Sequence, residues 1–199
     1  MTLHTDKIKQ NRMYEEFAYL WPLISAPEGY AHEAGFWRNA LRAKLGPGRH
    51  HILELGVGGG NNLSHLTNDF QATAVDLSEK MLAHSKKLNP GVELYVGDMR
   101  TVRLGWKFKA VLIHDAITYM LTEDNLRATF ATAAAHLEPN GVFITAPDDF
   151  RETFRSPRVS HKTRSKEGIE LTKVEYSHDP DPNDTTTETI YIYFIREQG

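Results

Sequence analysis

Residues 50–62 read HHILELGVGGGNN and join a short apolar run to a loop that is rich in glycine. The apolar run, residues 52–55, has the length of a buried strand and carries one acid, Glu54. Glycine permits positive φ and lets a ligand approach the backbone closely. A tight turn needs one glycine, whereas this loop has glycine at 56, 58, 59 and 60. The stretch therefore predicts a strand, a ligand-binding loop and a helix.

The loop does not match the two common phosphate-binding motifs. The dinucleotide fingerprint GxGxxG, read from Gly56, requires glycine at position 61, where this chain has Asn61. A P-loop requires Gly-Lys-Ser/Thr, and residues 51–79 contain neither lysine nor arginine. The carboxylate of Glu54 would also repel a phosphate. The loop therefore favours a ligand without phosphates, and its acid favours a ligand that carries positive charge.

Composition limits the class of protein. The length of 199 residues suits one α/β domain with a core of its own. The net charge of -3 gives no general basic surface, so we expect no nucleic-acid partner. The chain has no cysteine, which excludes disulfides, thiolate zinc sites and cysteine nucleophiles. Because the sequence has neither a membrane-spanning apolar run nor an apolar signal core, we expect a cytoplasmic protein without a membrane partner.

Short apolar strands alternate with helices over most of the chain. This alternation predicts an α/β fold with a Rossmann-like, doubly wound, mostly parallel sheet, preceded by two N-terminal helices. Ligands of such sheets bind at the carboxyl ends of the strands, where the acids and glycines of this chain fall. The predicted strands are residues 51–55, 72–76, 92–96, 108–114 and 142–146. The predicted helices are residues 6–20, residues 30–45, one from the glycine loop through Leu66, one capped by Ser78, and one from Thr122 to Leu137.

The last fifty residues have a different character. Residues 151–166 contain six basic side chains and one acid, and they predict a basic loop. Two alternating segments follow at residues 169–176 and 187–195, joined by the turn-rich sequence HDPDPNDTT. Alternation with a turn between predicts a C-terminal antiparallel hairpin.

Residues 54–60, ELGVGGG, resemble the E-x-G-x-G-x-G motif of class I S-adenosylmethionine-dependent methyltransferases. Later segments resemble further motifs of that family in order and spacing: AVDLSEKML at 74–82, GDMR at 97–100, HDA at 114–116 and LEPNGVF at 137–143. Asn140 replaces the first glycine of the family's L-x-P-G-G turn, a mild change because asparagine tolerates the left-handed conformation. The family's sheet usually ends with two further strands, and we expect this chain to stop before them. The hairpin, a partner subunit or a longer chain would then complete the sheet.

The resemblance implies a cofactor and its contacts. S-adenosyl-L-methionine would be the methyl donor and S-adenosyl-L-homocysteine the product. Asp76 would accept hydrogen bonds from both ribose hydroxyls, and Leu77 and Met81 would border the adenosine. Asp98 would take the adenine amino group and the Met99 backbone a ring nitrogen. The remaining residues that the resemblance assigns to the cofactor are Glu54, Gly56, Gly58, Gly60 and His114.

The N-terminal part has a narrower resemblance. Tyr14, Trp21 and the GYAHEA sequence at 29–34 resemble the leading helices of bacterial small-molecule methyltransferases, including enzymes that methylate amino sugars on nucleotide carriers. There, tyrosines of the helices cover the cofactor and bond its carboxylate, which implies this role for Tyr14 and Tyr30. Trp21 lies on the substrate side or packs in the core. The implied organisation is a single domain, residues 1–199, with a helical cap (1–48), a cofactor-binding core (49–148) and a basic loop with a β-hairpin (149–199) as substrate or dimer face.

A catalytic base is needed only if the acceptor must lose a proton, because the enzyme otherwise aligns the reacting atoms. His114 is the predicted base, since histidine titrates near neutrality. Its alternative role is that of a neighbour of the methionine moiety. Other candidates at the same strand ends are Asp115, Tyr119, Asp148 and Asp149. Asp115 with Asp148 or Asp149 resembles the metal ligands of catechol-type methyltransferases, but such acids more often cap helices and form turns, so we expect no metal.

The acceptor class follows by exclusion. Enzymes that methylate exocyclic amines of DNA bases carry an Asn/Asp-Pro-Pro-aromatic motif after strand four, where this chain has HDAI at 114–117. Methylation of base C5 needs a cysteine. A small molecule with an oxygen or nitrogen nucleophile remains as the expected acceptor, and a homodimer is the possible assembly. Two alternatives stay open: a non-catalytic S-adenosylmethionine-binding protein and an NAD-dependent oxidoreductase.

Overall fold

The apolar runs of the sequence form a five-stranded parallel sheet in the computed structural model, which describes residues 11–197. Its strand order is β3-β2-β1-β4-β5, and every neighbouring pair is parallel. The strands are β1 (His51–Leu55), β2 (Gln71–Asp76), β3 (Glu93–Val96), β4 (Phe108–Ile113) and β5 (Leu137–Thr145). The chain order reverses between β1 and β4, so the ligand crevice of such a sheet lies at the carboxyl ends of these two strands. The predicted fold class is confirmed.

Helices cover the sheet, and two of them begin at a side-chain cap. They are α1 (Trp21–Ile24), α2 (Ala31–Leu45), α3 (Asn61–Ser64), α4 (Glu79–Leu88) and α5 (Glu123–His136). Ser78 caps α4 by accepting a hydrogen bond of 3.2 Å from the backbone of Met81, and Thr122 caps α5 by accepting one of 3.2 Å from Asn125. Among the described residues, no helix is both long and apolar enough to cross a membrane.

The core lies on both faces of β1. Ile52, Leu53 and Leu55 are fully buried, because β1 is the central strand and both of its faces are covered. Trp37 and Leu41 of α2 pack with Ile52 in one cluster of buried side chains. Fully buried residues on successive positions explain why this strand reads as a continuous apolar run.

The prediction of a first helix over residues 6–20 is wrong across its described part. Residues 12–17 form turns, a 3-10 turn follows at Ala18–Leu20, and α1 begins at Trp21, with Pro22 in its first turn. Proline suits the first helical turn, so Trp21-Pro22 starts a helix rather than breaking one. Side chains of other elements form hydrogen bonds with backbone carbonyls of this segment. Ser78 Oγ donates to the Tyr14 carbonyl at 2.7 Å, and His84 Nε2 lies 2.8 Å from the Ala18 carbonyl. Residues 6–10 lie outside the described part.

Two other elements differ in length from their prediction. The helix after the glycine loop is a single turn, α3, which ends at Ser64 instead of continuing through Leu66. Strand β5 begins at Leu137, earlier than predicted, and its register with β4 shifts between Phe108 and Ala110. Asn140 lies within this strand at φ 63°, the left-handed conformation that asparagine tolerates.

The predicted basic loop, residues 151–166, is irregular only over residues 151–157, and the rest is a strand. Residues Arg158–Lys166 form β6, which pairs antiparallel with β7 (Ile169–His178), and β7 pairs with β8 (Glu188–Glu197). The predicted hairpin is β7–β8, and the three strands form a sheet of their own that does not extend the parallel sheet. The two-residue turn between β6 and β7 has positive φ at Glu167 (51°) and Gly168 (80°), the geometry that hairpins prefer.

One face of this second sheet packs on the N-terminal segment. Leu171 is buried with Leu20 and Leu23, and Arg164 Nη1 donates to the Leu23 carbonyl at 3.1 Å. The Tyr193 ring lies 5.7 Å from the ring of Phe17. The second sheet is thereby placed beside the segment that leads to the glycine loop.

Candidate functional site

Glu54, in β1, is a buried acid without a counter-charge. Its side chain is 2% exposed, and its Oε2 has no hydrogen-bond partner among the described residues. Burial, together with the smaller effect of the nearby carboxylates of Asp115 and Asp76, raises the pKa of Glu54 to about 8. A carboxyl group in these surroundings ionises readily only when a cation lies beside it.

The glycine loop follows β1 and faces the end of β2. Gly56, Gly58 and Gly60 have positive φ values of 77°, 54° and 76°. The backbone N–H of Gly58 donates to Asp76 Oδ2 at 2.7 Å, and that of Ser78 donates to Asp76 Oδ1 at 2.9 Å. Burial raises the pKa of Asp76, and these hydrogen bonds oppose the rise. Each oxygen keeps a second lone pair, so the fixed carboxylate can still accept from a ligand hydroxyl.

The two predicted tyrosines lie at the crevice but already have protein partners. The hydroxyls of Tyr14 and Tyr119 are 2.7 Å apart, and the ring centroids of Tyr14 and Trp21 are 5.9 Å apart. Burial raises the pKa of Tyr14 well above its ordinary value. The Tyr30 hydroxyl is 2.8 Å from Ser25 Oγ, and its ring centroid is 5.9 Å from that of His114. Both side chains therefore border the ends of β1 and β4.

The predicted adenine side lies at the end of β3, where Asp98 is bound by Arg100. The Asp98 carboxylate accepts hydrogen bonds from the Arg100 backbone at 2.8 Å and from its guanidinium at 2.6 and 3.0 Å. Burial raises the pKa of Asp98, but the hydrogen bonds from Arg100 outweigh it and leave the pKa below its ordinary value. A contact from Asp98 to an adenine amino group has to share this carboxylate with Arg100.

The other three predicted adenosine residues occupy different depths. Leu77 is 46% exposed at the rim, whereas Met81 is fully buried under the loop. A Cβ placed on Gly58 would lie 3.7 Å from Met81 Cε, and one on Gly56 would lie 3.3 Å from Met99 Cε. Leu77 can therefore contact a ligand directly, while Met81 supports the loop from below.

A carboxyl–imidazole cluster lies beyond β4. His114 is 6% exposed, and its Nε2 is 2.7 Å from Glu33 Oε1 while its Nδ1 is 3.1 Å from Asp115 Oδ1. Asp115 and Asp148 share a side-chain hydrogen bond. Burial raises the pKa of Asp115 to about 7; His114 opposes this rise, and Asp148 and Glu33 add to it. Burial likewise raises the pKa of Asp148.

Glu33 is the member of this cluster that the sequence analysis missed as a functional residue. It lies in the first turn of α2, within the GYAHEA sequence, and reaches a histidine 81 positions later in the chain. Asp149 does not join the cluster, because its carboxylate forms a bidentate ion pair with Arg158 at 2.7 and 2.8 Å. The ligand atoms of Glu33, His114 and Asp115 lie within 4.8 Å of one another, and both His114 nitrogens already face carboxylates.

Comparison with known proteins identifies the family. Residues 52–141 match the family described as "Methyltransferase domain". A dTDP-3-amino-3,4,6-trideoxy-alpha-D-glucopyranose N,N-dimethyltransferase from Streptomyces venezuelae is 37% identical over 170 residues, which are 83% of this chain and 71% of that protein. The structure of SAM-bound CalS10, an amino pentose methyltransferase from Micromonospora echinaspora, aligns with TM-score 0.68 and 27% identity over 85% of this chain and 77% of that one. The chain belongs to the S-adenosylmethionine-dependent methyltransferases.

A second relative gives the same family. The dTDP-3-amino-3,6-dideoxy-alpha-D-glucopyranose N,N-dimethyltransferase of Streptomyces fradiae is 32% identical over 81% of this chain, which spans 65% of that protein. The cofactor of this methyltransferase is S-adenosylmethionine, and the alternative of an NAD-dependent oxidoreductase is set aside. Its site fits the cofactor: the partnerless oxygen of buried Glu54 suits an ammonium group, and the fixed carboxylate of Asp76 suits a pair of hydroxyls.

The raised pKa of Glu54 predicts how stability depends on pH. The folded state holds the proton more tightly than the unfolded chain, in which glutamate has its ordinary pKa of 4.5. The contribution of protonated Glu54 to the free energy of unfolding is therefore full below about pH 4.5 and is lost as pH rises towards about 8. Between pH 5 and pH 8, the free energy of unfolding of the cofactor-free wild type should fall by on the order of 3 kcal/mol more than that of Glu54→Gln, which has no proton to lose. Urea denaturation at the two pH values measures this.

Glu152→Gln is the matched control, because Glu152 is exposed. Its free energy of unfolding should differ from that of the wild type by the same amount at both pH values. A wild type and a Glu54→Gln variant with parallel pH profiles would show that Glu54 ionises freely in the folded protein and would contradict its assignment.

Proposed function

We propose that this methyltransferase transfers a methyl group to an amino group of a small acceptor, a sugar carried on a nucleotide. The carboxyl–imidazole cluster supports an amine as the methyl acceptor, because its three carboxyl groups around one imidazole favour a cation. Its members are Glu33, His114, Asp115 and Asp148. An amine arrives protonated at neutral pH, whereas an alcohol arrives uncharged. The names of the relatives from Streptomyces venezuelae and Streptomyces fradiae supply the class of acceptor, an amino sugar linked to dTDP.

The face of the second sheet that packs on the N-terminal segment, called the inner face, supports a sugar on a nucleotide carrier as the acceptor. Lys173 Nζ lies 2.9 Å from Glu175 Oε2 and 5.3 Å from the centre of the Tyr191 ring, which gives this face both hydrogen-bonding groups and an aromatic surface. The Tyr191 and Tyr193 rings stack with centroids 6.4 Å apart, and Tyr193 lies against Phe17, so this face adjoins the N-terminal segment that borders the crevice. Lys162 is directly opposite Lys173 in the strand register and is exposed, which suits a phosphate of the carrier.

The residues of the cluster then have separate roles. Asp115 and Asp148 bind the acceptor ammonium, Asp115 passes its proton to Nδ1 of His114, and Glu33 holds the ring at Nε2. When bound, the cofactor supplies the methyl group on its sulfonium. The freed amine nitrogen would then bond to the methyl carbon as the carbon–sulfur bond breaks, which would leave a neutral thioether and a methylated ammonium. Alignment of the three atoms contributes roughly 7–11 kcal/mol to the lowering of the barrier.

The proposal keeps the cofactor contacts that the sequence implied and divides the single domain, residues 1–199, by task. The cap (1–48) covers the crevice, the core (49–148) binds the cofactor, and residues 149–199 contact the acceptor. A cytoplasmic location belongs to the same proposal, because the cofactor is a cytoplasmic metabolite. The proposed cofactor contacts are Tyr14, Tyr30, Glu54, Gly56, Gly58, Gly60, Asp76, Leu77, Asp98, Met99 and His114, and Met81 supports them indirectly from below the loop.

Variants of the cluster test the amine assignment. With dTDP-3-amino-3,4,6-trideoxy-alpha-D-glucopyranose as acceptor, we expect His114→Asn to lower kcat/KM by roughly 10²–10⁴-fold, the range for a lost general base. Glu33→Gln should lower it less, because the ring remains but loses its orientation. The loss should shrink as pH rises, since more of the amine then arrives unprotonated.

Glu123→Gln is the control, because Glu123 is exposed on α5 and pairs with Arg127 outside the cluster. It should leave the pH profile unchanged. Calorimetry with S-adenosylhomocysteine separates a failed acceptor from a failed cofactor site. Turnover of the hydroxyl analogue instead of the amine would contradict the amine proposal. Tight cofactor binding without turnover of any acceptor would favour the non-catalytic alternative.

We also propose that two copies of the chain pair through the outer face of the second sheet. Directly opposite residues of β6, β7 and β8 bring apolar side chains together on this face. Val159 is 64% exposed, Ile190 53%, Ile192 48% and Phe194 61%. Sheets with such a face commonly pack face to face on a second sheet. A second copy offers the same apolar surface and therefore suits this one.

Ile192→Glu tests the pairing, because it places a charge at the centre of the proposed contact. We expect light scattering to show a dimer for the wild type and a monomer for Ile192→Glu. Leu121→Glu changes a side chain that is 71% exposed elsewhere and should stay dimeric. A wild type that is monomeric at micromolar concentration, or a variant that stays dimeric, would refute the proposed interface.

A further inference from the structure

We propose that the indole N–H of Trp21 donates a hydrogen bond to the α-carboxylate of the bound cofactor. From the sequence, Trp21 had two alternative roles, contact with the substrate and packing in the core. In the structure it begins α1 and lies against the glycine loop. This inference rests on the cofactor and not on the identity of the acceptor.

The contact between Trp21 and Gly59 is close. A Cβ on Gly59 would lie 2.0 Å from Trp21 Nε1 and 2.6 Å from its Cδ1, so only glycine leaves room for the indole. The nitrogen edge of the ring is therefore the part that meets the loop. Nε1 is inaccessible to solvent and has no hydrogen-bond partner among the described residues. A buried donor without an acceptor is costly, and it indicates a partner that binds here.

The chemistry of the indole limits what that partner is. An indole N–H only donates, so it cannot bind the ammonium or the sulfonium of the cofactor by a hydrogen bond. Asp76 is assigned to the ribose hydroxyls, and Asp98 and Met99 to the adenine. The α-carboxylate, at the methionine end, is the one negatively charged acceptor of the cofactor. Tyr14 and Tyr30 are also assigned to it, but their hydroxyls already have protein partners.

Basic side chains near the loop are already paired. Residues 51–79 contain no lysine or arginine. Arg38 and Arg42 bind Asp69 at 2.7 and 3.2 Å, and Arg100 binds Asp98 at 2.6 Å. Within residues 11–197, a carboxylate at this loop therefore depends on neutral donors, and the N–H of Trp21 is one that has no partner there.

The short helix α1 is fixed in this position. The N–H of Ser25 donates to the Trp21 carbonyl at 2.9 Å, one turn later. Ser25 Oγ is 2.8 Å from the Tyr30 hydroxyl and accepts from Asn61 Nδ2 at 3.1 Å. Because Asn61 begins α3 directly after the glycine loop, this network ties α1 to the loop. The indole donor is thus held in place before the cofactor binds, which favours a strong contact.

Calorimetry with two ligands tests the inference. Trp21→Phe keeps the aromatic ring and removes the N–H. We expect it to weaken S-adenosylhomocysteine binding roughly tenfold or more, the effect of a hydrogen bond to a charged group. Binding of decarboxylated S-adenosylhomocysteine, S-adenosyl-3-thiopropylamine, should change less than about twofold, because it keeps the ammonium but lacks the acceptor. Equal losses for both ligands would overturn the proposal and leave Trp21 a packing residue.

Trp106→Phe is the matched control. Trp106 is 40% exposed beside Tyr95, so its variant should bind both ligands as the wild type does. If the wild type itself does not bind S-adenosylhomocysteine, the cofactor site fails and not Trp21 alone.

A second measurement does not depend on a folded Trp21 variant. The chain has three tryptophans and therefore three indole N–H signals in a ¹⁵N NMR spectrum, which Trp106→Phe and Trp37→Phe assign by elimination. The Trp21 signal should move downfield with S-adenosylhomocysteine and not with the decarboxylated ligand. A signal that moves equally with both ligands, or with neither, would overturn the proposal.

Discussion

The site depends on one constraint, the burial of the Glu54 carboxyl group with no basic partner in the part of the chain that the structure describes. An ionised acid in the interior of a protein is costly unless a cation neutralises it. The nearby carboxylates of Asp76 and Asp115 increase this cost, so the whole end of the sheet favours a positively charged ligand. The same excess of acid explains why the glycine loop suits a sulfonium nucleoside and not a dinucleotide with its pyrophosphate. The acceptor side, around Asp115 and Asp148, continues this pattern.

A single hydroxyl group connects the cofactor crevice with the segment that covers it. Ser78 Oγ accepts from the backbone of Met81 at the start of α4 and donates to the carbonyl of Tyr14 at 2.7 Å. Ser78 also donates its own N–H to Asp76, whose other oxygen binds Gly58. The end of β2, the glycine loop and the N-terminal cover are therefore fixed by contacts at one residue. This explains how turns without regular helix can hold Tyr14 and Trp21 over the loop.

The parallel sheet could be predicted because its strands are apolar on both faces and are separated by clear caps and turns. Strand β6 could not be predicted, because nearly all of Arg158–Lys166 is exposed and its charged residues conceal the alternation of apolar and polar residues. The local signal for a hairpin is the Glu167-Gly168 turn that follows it. The motif residues around the glycine loop and Asp76 were placed correctly at the strand ends. Glu33 escaped notice because its contact with His114 spans 81 positions, and no local pattern reports such a pairing.

The most direct test of the account is the number of protons released when S-adenosylhomocysteine binds at pH 7. Titration calorimetry in buffers of different ionisation enthalpy gives this number. Because the pKa of free Glu54 is about 8, its proton should leave when the ligand ammonium arrives. The account predicts a release close to one proton for the wild type and clearly less for Glu54→Gln. Binding with the same proton release in both proteins would contradict it.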